Sequence, residues 1–171
     1  MKYFVTGGAG FIGSNIAEVL QEKAEEVVIY DNFSTGFREN LRDFENNVEV
    51  IEGDVRDLES LKKAVKGVDY ILHQGALSSV PRSIKDPITS NEVNTQGTLN
   101  VLVAASEAGV RRVIYVSSSS VYGDSETLPK KEDMPINPKS PYAISKARRL
   151  LNYEPEVSFK EGLRRYCESF S

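Results

Sequence analysis

Tyr142 and Lys146 stand four positions apart, the spacing that puts two side chains on one face of a helix. A phenol with an ordinary pKa of about 10 is a poor base at neutral pH. An ammonium beside it favours the phenolate and lowers that pKa. Upstream, Ser117, Ser118, Ser119 and Ser120 form a run of hydroxyls, one of which can share a proton with the phenolate during transfer. Such a trio suits removal of a hydroxyl proton while a hydride leaves the same carbon for an acceptor. Taken alone, Tyr-x-x-x-Lys is a common pairing on solvated helices, and a serine run is equally a turn. Its meaning rests on whether the chain also has a place for a hydride acceptor.

The first fifteen residues offer that place. Tyr3-Phe4-Val5-Thr6 reads as a buried strand, and Gly7-Gly8-Ala9-Gly10-Phe11-Ile12-Gly13 as a glycine-rich turn opening a helix. In the spacing Gly7-x-x-Gly10-x-x-Gly13, Gly7 permits the sharp turn and Gly10 lets backbone approach a pyrophosphate. Gly13 lets the helix pack closely, and the helix start at Phe11 and Ile12 directs its amides at the anion. The next strand, Val27-Val28-Ile29-Tyr30, ends at Asp31, 18 positions after Gly13. A carboxylate there accepts hydrogen bonds from both ribose hydroxyls and repels a 2′-phosphate, which favours NAD over NADP. The polar loop that follows, with Asn32, Ser34, Thr35 and Gly36, is assigned to the same site. So are Gly75 and Ala76, small residues at a strand end where backbone can lie close to a cofactor.

The remaining elements are those such a site requires. Ile12, Ile16, Val19 and Leu20 recur at helical spacing and predict the face of the first helix that packs on the sheet. Val48–Ile51 reads as a third strand, and Asp57 as the cap of a helix from Leu58 to Lys66 ended by Gly67. Asp69–Leu72 is a fourth strand, leading to His73, the single histidine, whose expected role is structural. Ser78–Ser83 reads as a loop, Ile88 to Ala108 as a long helix closed by Gly109, and Arg112–Val116 as a fifth strand. Five strands alternating with helices predict an α/β fold with a doubly wound parallel sheet. A long connection from Ser117 to Pro141 follows the fifth strand, where an open sheet of this kind binds substrate.

At 171 residues the chain has the length of one domain with a real core. Its net charge of −4, with no basic block, argues against a nucleic-acid or acidic-membrane partner. One cysteine, Cys167, excludes an internal disulfide and a cysteine-rich metal site, and fits a reducing cytoplasm. No metal is expected. No apolar run reaches transmembrane length, and charged residues come too early for a secretory signal.

The motifs Thr6–Ser14, Asp31-Asn32, Gly53-Asp54-Val55, Ser117–Gly123 and Ser140–Lys146 together resemble the extended short-chain dehydrogenase/reductase family, a Rossmann fold. Within it the chain is most similar to NAD-dependent nucleotide-sugar 4-epimerases acting on UDP-glucose and UDP-galactose or the N-acetylated sugars. The resemblance implies that Asp31 holds the adenosine ribose and that Asp54 and Val55 contact adenine. It implies Ser118, with Ser117 and Ser119 as the alternatives, and Tyr142 and Lys146 as catalytic residues, with Tyr142 and Lys146 also contacting the cofactor. It makes NAD a bound cofactor and a UDP-sugar the substrate.

From Arg148 onward the chain departs from that family. Residues 1–147 read as the NAD-binding domain, and 148–171 as a tail resembling the family's last helix, joined directly. The usual outer strand or strands and the substrate domain are missing in this reading. Leu163, Tyr166, Cys167 and Phe170 then form an apolar stripe, with Cys167 inert on it. The exposed sheet edge calls for cover, from that helix or from a homodimer. Three functions stay open: an NAD(H)-binding domain with its hydride-transfer residues retained, an epimerase or dehydratase completed by a partner subunit, and a non-catalytic NAD-binding scaffold.

Overall fold

The computed structural model describes residues 1–131 and 133–147. The five strands are β1 (Lys2–Thr6), β2 (Glu26–Asp31), β3 (Glu49–Glu52), β4 (Tyr70–His73) and β5 (Arg112–Tyr115). All four pairings are parallel, in the order β3-β2-β1-β4-β5. The expected doubly wound sheet is therefore present, and its order reverses between β1 and β4. Crevices at such a switch point, outside the carboxyl ends of the strands, are where open α/β sheets bind ligands.

The central strands β1, β2 and β4 are largely apolar on both sides because helices cover both sides. On one face Phe4, Val28, Tyr30 and Ile71 pack with Leu61 of α2 (Leu58–Ala64) and with Val101, Ala104 and Ala105 of α5 (Gly97–Ala108). On the other, Tyr3, Val5, Val27, Ile29 and Leu72 pack with Ala17 and Leu20 of α1 (Phe11–Glu22) and with Leu41 and Phe44. Alternation along β1 thus divides one strand between two cores.

Several local expectations are corrected. On α1 the inward face is Gly13, Ser14, Ala17 and Leu20, with Ile16 partly covered. Ile12 and Val19 are 57% and 41% exposed. Small side chains bring this helix close to the sheet, so the face is not the most apolar stripe. Ser78–Ser83 is not all loop: α3 spans Val80–Lys85, with the Ser79 hydroxyl accepting from Arg82 N and a proline in its first turn. A serine followed by an early proline is a helix-start signal that periodicity alone overlooks. The long helix is α4 (Pro87–Asn91), a π turn over Glu92–Gln96, and α5. Asp57 caps α2 as expected, accepting from Ser60 N, but α2 ends at Ala64. The last described helix is α6 (Pro141–Lys146), capped by Ser140. The tail from Arg148 and its apolar stripe lie outside the described residues. Among those residues β5 is a sheet edge, with Ile114 42% exposed.

His73 has the structural role expected of it. Fully buried at the end of β4, it bonds Thr6 Oγ1 through Nδ1 at 2.6 Å and Thr98 Oγ1 through Nε2 at 2.9 Å. Thr98 donates its own hydrogen to Asn94 O, so it accepts from Nε2–H, and Nδ1 accepts from Thr6. Burial pushes the imidazole pKa from 6.5 down to about 3, helped by the nearby Lys146 charge. Between those values the unfolded chain binds the extra proton and the folded chain does not, so stability falls as pH falls. Thermal denaturation between pH 7 and 4 should show that loss at about 1.4 kcal/mol per pH unit where the difference is fully expressed. His73→Gln should lower stability at pH 7 and flatten the slope.

Candidate functional site

A cleft of about 670 Å³ opens at the switch point. Its floor is the glycine turn. Gly7 has φ +65°, and its N–H donates to Tyr30 O at 2.8 Å, so the turn is tied to β2. A Cβ on Gly13 would lie 2.2 Å from Gly7 O and 2.8 Å from Gly8 Cα. This glycine lets α1 begin directly against the turn, a closer constraint than packing on the sheet. A Cβ on Gly10 would meet Gly7 O at 3.2 Å and otherwise face the cleft. No side chain caps the start of α1, and no acidic residue stands in its first turn, so its positive end is left for an anion.

Asp31 ends β2 at the cleft, 8% exposed. Its Oδ2 accepts from Ala9 N at 2.9 Å and its Oδ1 from Phe33 N at 2.8 Å. The carboxylate therefore braces the glycine turn against its own loop. That loop wraps Ala9: Phe37 N and Asn40 Nδ2 both donate to Ala9 O, at 3.0 and 2.8 Å. Asn32 Oδ1 accepts from Ser34 N at 3.1 Å.

Of the residues expected at a cofactor site, Gly7, Gly10, Phe11, Ile12, Gly13, Asp31, Asn32, Ser34, Thr35, Gly36, Val55, Gly75 and Ala76 all line the cleft. So do Ser118, Tyr142 and Lys146. Asp54 is not among the lining residues. Its carboxylate takes Arg56 N and Nε on Oδ1, at 2.9 and 3.0 Å, and Arg56 Nη2 and Asn32 Nδ2 on Oδ2, at 2.7 and 2.9 Å. The Arg56 guanidinium, with these bonds, holds its pKa down at about 2. Arg56 itself lines the cleft and also lies 3.7 Å from Glu92. Gly75 is a tight position: a Cβ there would meet Thr6 Oγ1 at 3.1 Å.

The far wall comes from β5 and α6. Ser118 Oγ accepts from Ser120 N at 3.2 Å and from Ser120 Oγ at 2.9 Å, which leaves its own hydrogen to give. Ser117 instead donates to Lys146 O at 2.8 Å. Lys146 is 4% exposed, and burial lowers its pKa to about 8. Tyr142 and Lys146 share one cleft wall as their spacing requires.

Sequence reasoning did not single out Arg56, Gln74, Leu77, Ser78, Thr89, Val93 or Val116 as cleft residues. Thr89 and Val93 stand four apart on one helical face, a signal that was present. Asn94 was also missed: its amide bonds both Leu77 N, at 2.8 Å, and Leu77 O, at 3.3 Å, fixing the loop after β4. Among the described residues no group of histidine, cysteine or acidic side chains could hold a metal ion. No helix there is long and apolar enough to cross a membrane.

Comparison with known proteins bears on this site. Residues 3–150 match the model of the NAD dependent epimerase/dehydratase family. The chain belongs to that family. It is 43% identical over 151 residues to a UDP-glucose 4-epimerase of Mycolicibacterium smegmatis, covering 85% of this chain and 48% of that protein. The UDP-glucose 4-epimerase of Thermus thermophilus, solved in complex with NAD, superposes with a TM-score of 0.82 at 40% identity. That match covers 90% of this chain and 49% of the other. A dTDP-glucose 4,6-dehydratase of Streptomyces venezuelae, solved with NAD bound, gives a TM-score of 0.81 at 40% identity, covering 85% and 48%. The chain spans about half the length of the relatives it matches. NAD is the cofactor of this family.

The two glycines are separable by experiment. Gly13→Ala should cost about 2 kcal/mol or more in chemical denaturation, because its new methyl meets backbone that cannot yield. Gly10→Ala should stay close to the parent in the same assay.

Proposed function

We propose that this chain is the NAD(H)-binding and hydride-transferring part of a nucleotide-sugar 4-epimerase of the UDP-glucose/UDP-galactose type. The observation that carries the reading is that Ser118, Tyr142 and Lys146 line the same cleft as the glycine turn and Asp31. The residues fit a dinucleotide: a turn with no room for a Cβ at Gly7, Gly8 or Gly13, an uncapped helix start for the pyrophosphate, and a strand-end carboxylate for the ribose. Bound NAD supplies the hydride acceptor, and in its reduced form the donor.

The chain's own residues do the rest. Tyr142 takes the proton from the sugar 4-hydroxyl and later returns it. Lys146 favours the Tyr142 phenolate by its charge, and a buried ammonium acts more strongly than an exposed one. Ser118, which accepts from Ser120, donates to the same sugar oxygen and steadies its developing charge. Asp31 selects NAD over NADP by repelling a 2′-phosphate. Val55 and Asp54 form the adenine end, with Asp54 acting through the Arg56 and Asn32 that it holds. In this reading residues 1–147 are the NAD-binding domain, 148–171 a tail joined directly, and the protein cytoplasmic. Turnover on a UDP-sugar needs a nucleotide grip in addition to residues 1–147.

Protein purified and denatured should release NAD(H), identified by absorbance and mass, and calorimetry on stripped protein should show NAD binding. Asp31→Ala should weaken that binding at least about tenfold, the loss of a charge-assisted pair of hydrogen bonds. Protein that neither carries nor binds NAD(H) would refute the reading. Tyr142→Phe should keep NAD binding and abolish any interconversion of UDP-galactose and UDP-glucose.

A further inference from the structure

The ends of β5 and α6 meet around one buried ammonium. Lys146 Nζ donates to Val116 O at 3.2 Å and stands 4.7 Å from the centroid of the Tyr115 ring. Among the described residues no ion pair includes Lys146. A charge removed from water without a carboxylate partner survives only where dipoles or a π-face replace its hydration. Here one carbonyl and one aromatic face do so. The Tyr115 hydroxyl also donates to Ser145 O at 3.3 Å, holding the helix backbone one residue before Lys146.

The titratable groups around this ammonium are few. From β4 comes His73, neutral, its ring centroid 5.8 Å from that of Tyr115. From β5 comes Tyr115, whose hydroxyl burial pushes well above the ordinary phenol range. From α6 itself comes Tyr142, one turn earlier. α3, α4, the π turn and the short helical turn at Ser119–Tyr122 also pack on α6; the side chains they bond to it are Ser83, on Tyr142 N, and Asn94, on Ser145 Oγ, both uncharged, and the last of these elements carries Tyr122.

We propose that Tyr115 is a positioning residue: its ring face holds the Lys146 ammonium charged at the cleft wall, and its hydroxyl anchors the helix that carries Lys146 and Tyr142. The ring–ammonium contact stands on geometry alone. Its consequence for proton transfer rests on the reading of Tyr142 and Lys146 as the hydride-transfer pair.

The two parts are tested separately on the full chain. With lysine labelled at Cε with carbon-13, the resonance lost in Lys146→Met reports the Lys146 titration. Its midpoint should lie near about 8 in the parent and stay there in Tyr115→Phe, which keeps the ring. In Tyr115→Leu it should fall by about one pH unit, the size of a desolvated cation–π contact. A folded Tyr115→Leu protein, by circular dichroism, with the parent's midpoint would overturn the proposal. Should that variant not fold, fluorinated phenylalanines at position 115 keep the shape while emptying the ring face. The midpoint must then fall with each added fluorine, and a flat series overturns the proposal equally. The consequence for Tyr142 is read in parallel at a fixed pH below about 8, as the ultraviolet phenolate signal of the parent and of Lys146→Met, each against its Tyr142→Phe partner. A signal that Lys146→Met leaves unchanged leaves the ring contact standing and overturns the pairing of Tyr142 with Lys146.

Discussion

Everything at the cleft hangs on one directed chain of hydrogen bonds through the middle of the sheet. Gly75 N donates to Thr6 Oγ1, Thr6 to His73 Nδ1, His73 Nε2 to Thr98 Oγ1, and Thr98 to Asn94 O. Each link is buried or nearly so, where an unpaired polar group would cost more than the bond returns. The chain therefore works as a constraint: β1, β4, the loop after β4 and the long helix are fixed relative to one another or all are left unsatisfied. It also helps explain why a histidine at a strand end beside the cleft takes no proton.

From that chain the site is built outward by contacts of the same sort. Asn94 passes the restraint to Leu77 and, through Ser145 Oγ, to α6. Three consecutive residues at the end of β5 grip the same helix. Tyr115 bonds Ser145 O, Val116 O accepts from Lys146 Nζ, and Ser117 Oγ bonds Lys146 O. The wall bearing Tyr142 and Lys146 is thus held to the sheet by backbone and hydroxyl groups, with the ammonium as one of its ties. On the opposite side Asp31 and the loop around Ala9 brace the glycine turn. Two rigid walls about a cleft suit the proposed hydride transfer, whose geometry tolerates little slack.

The Asp54 carboxylate shows how a motif residue can act at one remove. Its bonds to Arg56 and Asn32 join the loops after β3 and β2, and the groups that reach the cleft are Arg56 and Asn32. A carboxylate surrounded by that many donors is a joint first. The motif predicts the right neighbourhood while the geometry redistributes the parts within it.

What the sequence determined alone was whatever depends on neighbours in the chain. The glycine spacing and Asp31 marked the turn and the strand end, since both depend on local backbone and on a separation of 18 positions. The alternation of strands and helices made the parallel sheet legible, as did the cap at Asp57, because runs and caps are local. Tyr142 and Lys146 were legible as a pair for the same reason. Periodicity failed on α1, where Gly13 and Ala17 face inward because closeness of approach outweighed side-chain area. It failed again at Val80–Lys85, where a cap and a proline outweighed a polar composition. Only the tertiary structure could bring Tyr115 and Val116 to Lys146 across about thirty residues. Nor does any spacing state which hydroxyls meet His73, or that Arg56 faces the cleft in place of Asp54. Such contacts arise between strands and helices brought together by burial of the two cores, and burial orders the chain by adjacency in space, which sequence separation does not encode.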